Sequence, residues 1–152
     1  MCEIRRWHGA YGCDAIALQE CASAVAYDEL LATFEFVGSA AAEATRGWVH
    51  LHVSRALDWD AVDTDTKLPC VRARVYFTGR DDASRAVVVS AVHLPTGDCV
   101  NARGDMLGKS LRGGNDTDQF LALGDMNPGN DADVDAPCKS FEWHEARYVG
   151  FS

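Results

Sequence analysis

The sequence predicts an α/β fold, on three observations. Ala86-Val-Val-Val-Ser-Ala-Val-His-Leu94 is an almost unbroken apolar run, the pattern of a central strand buried on both faces. Two other stretches alternate with a period of two, as half-exposed strands do. A short apolar run, Asp14-Ala-Ile-Ala-Leu-Gln-Glu20, is followed by residues at helical spacing, which gives a strand–helix unit.

Taken in order, the run 14–20 is apolar in its middle and opens to polar groups at its carboxyl end. Ser23 is placed to cap a helix over about residues 23–33, with Tyr27, Leu30, Leu31 and Phe34 on one face. Val49, Leu51 and Val53 then alternate with Trp48, His50 and His52, and Val71, Ala73, Val75 and Phe77 alternate with Arg72, Arg74 and Tyr76. The acidic Asp58-Trp-Asp-Ala-Val-Asp-Thr-Asp65 between them reads as a solvated loop. After the strand ending near Pro95, residues 101–112 are weakly helical because Gly104 and Gly108 interrupt them, and 113–118 form a loop. Gln119-Phe-Leu-Ala-Leu-Gly124 is a second central strand, and Ser140 to Ser152 can form a last amphipathic helix.

With 152 residues, 47% of them hydrophobic, the chain matches one domain, able to bury roughly 70% of its unfolded surface. No run approaches the roughly 18 apolar residues of a membrane span, and Met1 to Trp7 lacks the apolar core of a secretory signal. The expectation is an intracellular protein, cytoplasmic or nuclear. The six cysteines, at 2, 13, 21, 70, 99 and 138, show no C-x-x-C pair, so free thiols are expected rather than zinc or disulfide frameworks.

A formal charge of −9 argues against broad attraction to nucleic acid, since counterion release needs clustered Lys and Arg. Residues 84–118 balance four acids against four bases and include Arg103, Lys109 and Arg112, so any polyanion contact is local. A small phosphoester, or a nucleic acid held by other parts, fits this charge better.

Three candidate strands end in polar groups: Glu20, His93, and Asp125 with Asn127. Ligands gather at strand ends in open sheets, so these four side chains define one candidate site. Mg²⁺ takes one or two carboxylates plus waters and phosphate oxygens, which Glu20, alone or with Asp125, can supply. Asp125 can orient or deprotonate a water, while Asn127 and His93 can donate to phosphate oxygens.

At these residues the sequence resembles the endonuclease/exonuclease/phosphatase superfamily. Asp14-Ala-Ile-Ala-Leu-Gln-Glu20 is similar to its D-x-I-x-L-Q-E segment, Val89-Ser-Ala-Val-His-Leu94 to the strand bearing T-H-L, and Ala122-Leu-Gly-Asp-Met-Asn127 to L-G-D-F-N. The resemblance implies a deoxyribonuclease-like two-sheet α/β sandwich and a Mg²⁺-dependent phosphoester hydrolase, with Mn²⁺ able to stand in. It assigns metal binding to Glu20, action on the nucleophilic water to Asp125, support to Asn127, and phosphate contact to His93. It implies a phosphorylated substrate, nucleic acid or small phosphoester.

Family members also open with a strand bearing an active-site Asn and close with S-D-H. Residues 1–12 contain no Asn, and no Ser-Asp-His occurs, so residues 1–152 are expected to form one partial domain of this type, its first and last strands missing. A truncated, non-catalytic relative is therefore one alternative. The other is a calcium module on the Asp125–Asp135 loop, where Asp125, Asn127, Gly129, Asp131 and Asp133 alternate. An EF-hand loop there would require Gly at 130 and Glu at 136, where the chain has Asn130 and Ala136. His50 and His52 share a strand face with Trp48, but no third ligand accompanies them, so packing or exposure is expected there.

Overall fold

A computed structural model describes residues 12–42, 47–62, 69–77, 79–80, 86–95, 100–110 and 119–125. The order of elements is β1 (Ala15–Cys21), α1 (Asp28–Leu31), β2 (Phe34–Ala42), β3 (Gly47–Ser54), β4 (Asp58–Ala61), β5 (Cys70–Tyr76), β6 (Ala86–His93), α2 (Val100–Ser110) and β7 (Gln119–Asp125). The strands form two sheets, β1-β3-β2 and β4-β5-β6-β7, and every pairing is antiparallel except β6 with β7. The architecture is mostly strand, with few helices.

The core lies between the sheets. Val49, Leu51 and Val53, the inner face of β3, pack against Val71, Ala73 and Val75 of β5 and Val89 and Ala91 of β6. All eight are buried, and each fully buried aliphatic side chain contributes roughly 1.5–3 kcal/mol of apolar transfer. Ala15 and Ala17 of β1 join this face through their pairing with Val53 and Leu51. Their small size lets the outer strand of the first sheet lie close to the second. The strands expected at 14–20, 49–53, 71–77 and 86–94 are all present.

Several expectations are corrected. The helix expected over 23–33 is a single turn, Asp28–Leu31. Tyr27 at its N-cap offers no side-chain bond, and the Ser23 hydroxyl instead accepts from Val25 N in a local turn. Leu30 and Phe34 are buried as their spacing suggested, but Phe34 opens β2, whose backbone is satisfied along β3 rather than by helical bonds.

The acidic stretch after Asp58 begins as a strand rather than a loop. Asp60 is compensated there: the Tyr76 hydroxyl donates to it at 2.8 Å and Arg80 Nη1 at 2.7 Å. The strands expected to be half-exposed are largely covered on both faces, with His50, His52 and Arg72 all buried. Their outer-facing side chains are shielded by neighbouring strands, which a single strand's alternation does not reveal.

β6 is the buried central strand predicted. β7 is not: it is outermost among the described strands of its sheet, and Phe120 and Leu121 are 37% and 46% exposed. The helix in the 101–112 region forms across both glycines. A Lys109–Asp105 ion pair at 2.6 Å bridges one turn, Leu107 packs on Leu94, and Ser90 Oγ donates to the Ser110 carbonyl at 2.9 Å. Cys13, Cys21 and Cys70 are free thiols, as expected. No helix among the described residues is long and apolar enough to cross a membrane. The loop at 113–118 and the tail at 140–152 lie outside the described residues.

Candidate functional site

Glu20 owes its position to a break in the β1–β3 ladder. Leu18 pairs with His50 and Cys21 with Trp48, so Gln19 and Glu20 together oppose Val49, a bulge of one extra residue. Glu20 absorbs the extra residue by taking a left-handed backbone, φ 54°, which costs a non-glycine residue roughly 1–2 kcal/mol. The bulge turns its side chain out into solvent. It is possible because Gly47 lies alongside: a Cβ there would stand 2.7 Å from Glu20 Cα and 2.9 Å from its carbonyl carbon.

Asp125 and His93 are placed by the parallel β6–β7 pairing, in which they are register partners at the carboxyl ends of the two strands. Leu94 N donates to the Asp125 carbonyl at 3.0 Å, and His93 N donates to the Pro69 carbonyl at 3.3 Å. His93 is buried and Asp125 exposed. The residue before Asp125 has to be glycine. Gly124 has φ 142°, and a Cβ on it would stand 1.9 Å from the Val92 carbonyl oxygen.

The two sheets meet at this glycine. The Gln19 amide nitrogen, from β1, would lie 2.9 Å from that same Cβ position, so the side chain preceding Glu20 rests on the residue preceding Asp125. Gln19 Nε2 is buried there with no hydrogen-bond partner among the described residues. The Gln19–Gly124 contact brings the ends of β1 and β7 together, with Glu20 and Asp125 each one residue beyond it and His93 the register partner of Asp125.

Among the described residues, no three of His, Cys, Asp and Glu stand close enough together to hold an ion by themselves. Mg²⁺ keeps several waters and takes only one or two carboxylates from protein, so Glu20 and Asp125 are the side chains that would hold such an ion. Asn127, and the Asp131 and Asp133 of the alternative calcium loop, lie outside the described residues. His50 and His52 are on the outer face of the first sheet and join neither Glu20 nor Asp125 in a ligand group.

Three positioning residues carry this geometry. Gln19 and Gly124 stand inside the motif segments, but their mutual contact is visible only in three dimensions. Gly47 carries no sequence signal. No family model matches the chain, and no curated protein matches it either.

Proposed function

We propose that this chain is a Mg²⁺-dependent phosphoester hydrolase of the endonuclease/exonuclease/phosphatase type, built as a two-sheet α/β sandwich. The observation that carries the reading is the Gln19–Gly124 contact, which brings the ends of two separate motif strands to one rim. Glu20 is the metal ligand in this reading. The ion supplies charge stabilisation to phosphoryl oxygens. Asp125, exposed at the strand end, takes or orients the proton of an attacking water, with Asn127 supporting it. His93 is nearly free of solvent, which suits a fixed N–H donor to a phosphate oxygen. The net charge of −9 favours a small phosphoester, or a locally held nucleic acid, over extended duplex DNA.

The test is Mg²⁺-dependent hydrolysis of bis-p-nitrophenyl phosphate. Glu20→Gln and Asp125→Asn should each lower the rate at least about 100-fold while circular dichroism is unchanged. Cleavage that survives both substitutions, or that shows no metal dependence, rejects the assignment.

A further inference from the structure

The outer face of the first sheet carries two imidazoles that the phosphoester chemistry does not use. His50 and His52 follow each other along one face of β3, both with no exposed surface, their ring centroids 5.9 Å apart. Phe36 lies against both rings, at 5.2 and 5.1 Å, and Tyr27 against His50 at 5.6 Å. Ile16 and Leu18 of β1 and Phe36 and Ser39 of β2 are their register neighbours.

His50 Nε2 is 2.6 Å from the Ser23 carbonyl oxygen. A carbonyl only accepts, so Nε2 carries a proton and donates it to Ser23. His50 Nδ1 and both ring nitrogens of His52 are buried with no hydrogen-bond partner among the described residues. The pair thus sits in a buried aromatic pocket, and one of its members ties the segment following Glu20 to β3.

We propose that the His50–His52 pair is an acid-responsive latch: proton uptake drives the rings out of their aromatic pocket and frees Ser23–Tyr27 from β3. A protonated His52 would hold two buried N–H groups with no acceptor and would stand beside a second imidazole. Each is a cost of placing a charge in a buried site, which water would relieve.

Among the described residues, no neighbouring group offsets that charge. Burial pushes up both the Cys21 thiol and the Tyr27 hydroxyl, which is hydrogen-bonded to that thiol, so both stay neutral in acid. Glu35 of β2 pairs with Val53, on the other face, where Trp59 Nε1 and Arg55 donate to it. Asp28 and Glu29 of α1 are exposed, and besides burial the neighbouring His50 ring is what lowers His52 among the described residues.

Burial first, and His50 second, hold His52 at about 4, below its ordinary 6.5. A released ring thus takes a proton before a latched one does. The closed state is at full strength above about pH 6.5, weakens roughly tenfold per pH unit below it, and levels off beneath about pH 4 after a loss of about 300-fold.

The latch stands or falls independently of the phosphoester reading, because its readouts are ring titration and segment order. In the full chain, NMR should show the His52 ring neutral until Ser23–Tyr27 amide shifts change, with a common midpoint below pH 6.5. His52→Phe, which keeps an aromatic filler and removes the proton site, should hold the segment closed to about one pH unit lower. An unchanged midpoint in His52→Phe overturns the proposal. Should that variant not fold, the natural chain still decides: His52 titrating near 6.5 while the segment stays in place contradicts it.

Discussion

The interior where β3, β5 and β6 meet and the rim where β1 and β7 end are built on different principles. The interior is a matter of volume: Val49, Leu51, Val53, Val75 and Val89 fill the space between two sheets, and any apolar set of equal size and shape would serve. The rim is a matter of backbone. Glu20 sits at φ 54° because Gly47 leaves room beside it, and Asp125 follows a glycine against which even a methyl group would strike the Val92 carbonyl. A scaffold of replaceable parts thus carries a site whose two glycines have no substitute.

Substitutions in the two regions should separate these principles. Leu51→Ala, in the interior, should lower unfolding free energy by about 2–5 kcal/mol in urea titration, whereas Leu51→Met should cost under about 1.5 kcal/mol. Equal losses for both would mean the interior is as exacting as the rim. Gly124→Ala should cost about 2 kcal/mol or more, with lost exchange protection at the Leu94 amide, although it removes no side chain. Full protection there would show that the Gly124 backbone is not needed. The smallest effect has the opposite sign. Glu20→Asn places a residue tolerant of left-handed backbone on the bulge and should raise stability by up to about 1 kcal/mol while removing the proposed metal ligand. A thermal melt showing clear destabilisation would mean the bulge is not strained.

The same division explains what the sequence made legible. β6 is visible because Ala86 to Val89 and Ala91-Val92 leave almost no polar position for a solvent face. Glu20, His93 and Asp125 stand out because each closes an apolar run within a motif-like segment; the fold pairs His93 with Asp125 and sets Gln19, before Glu20, against Gly124. β2 is hidden: Phe34-Glu-Phe-Val-Gly-Ser-Ala-Ala-Ala42 alternates poorly, and its strand character comes from pairing with β3. The histidines of β3 look like a wet face because period two reports only alternation, while Ile16, Leu18 and Phe36, which cover them, come from other strands. β4 is hidden beneath its acids, whose charge is answered by Arg80, twenty residues beyond Asp60. Gly47 could not be read at all, because its reason is the Glu20 backbone lying against it.

In the proposed function, two carboxylates from different sheets serve one divalent ion. Titrating the chain with Mn²⁺ and following paramagnetic broadening of backbone amides tests this directly. Broadening should appear together at residues 19–21 and 124–125 and vanish at both ends in Glu20→Gln. Broadening confined to one strand end, or surviving that substitution around Asp131 and Asp133, would contradict it.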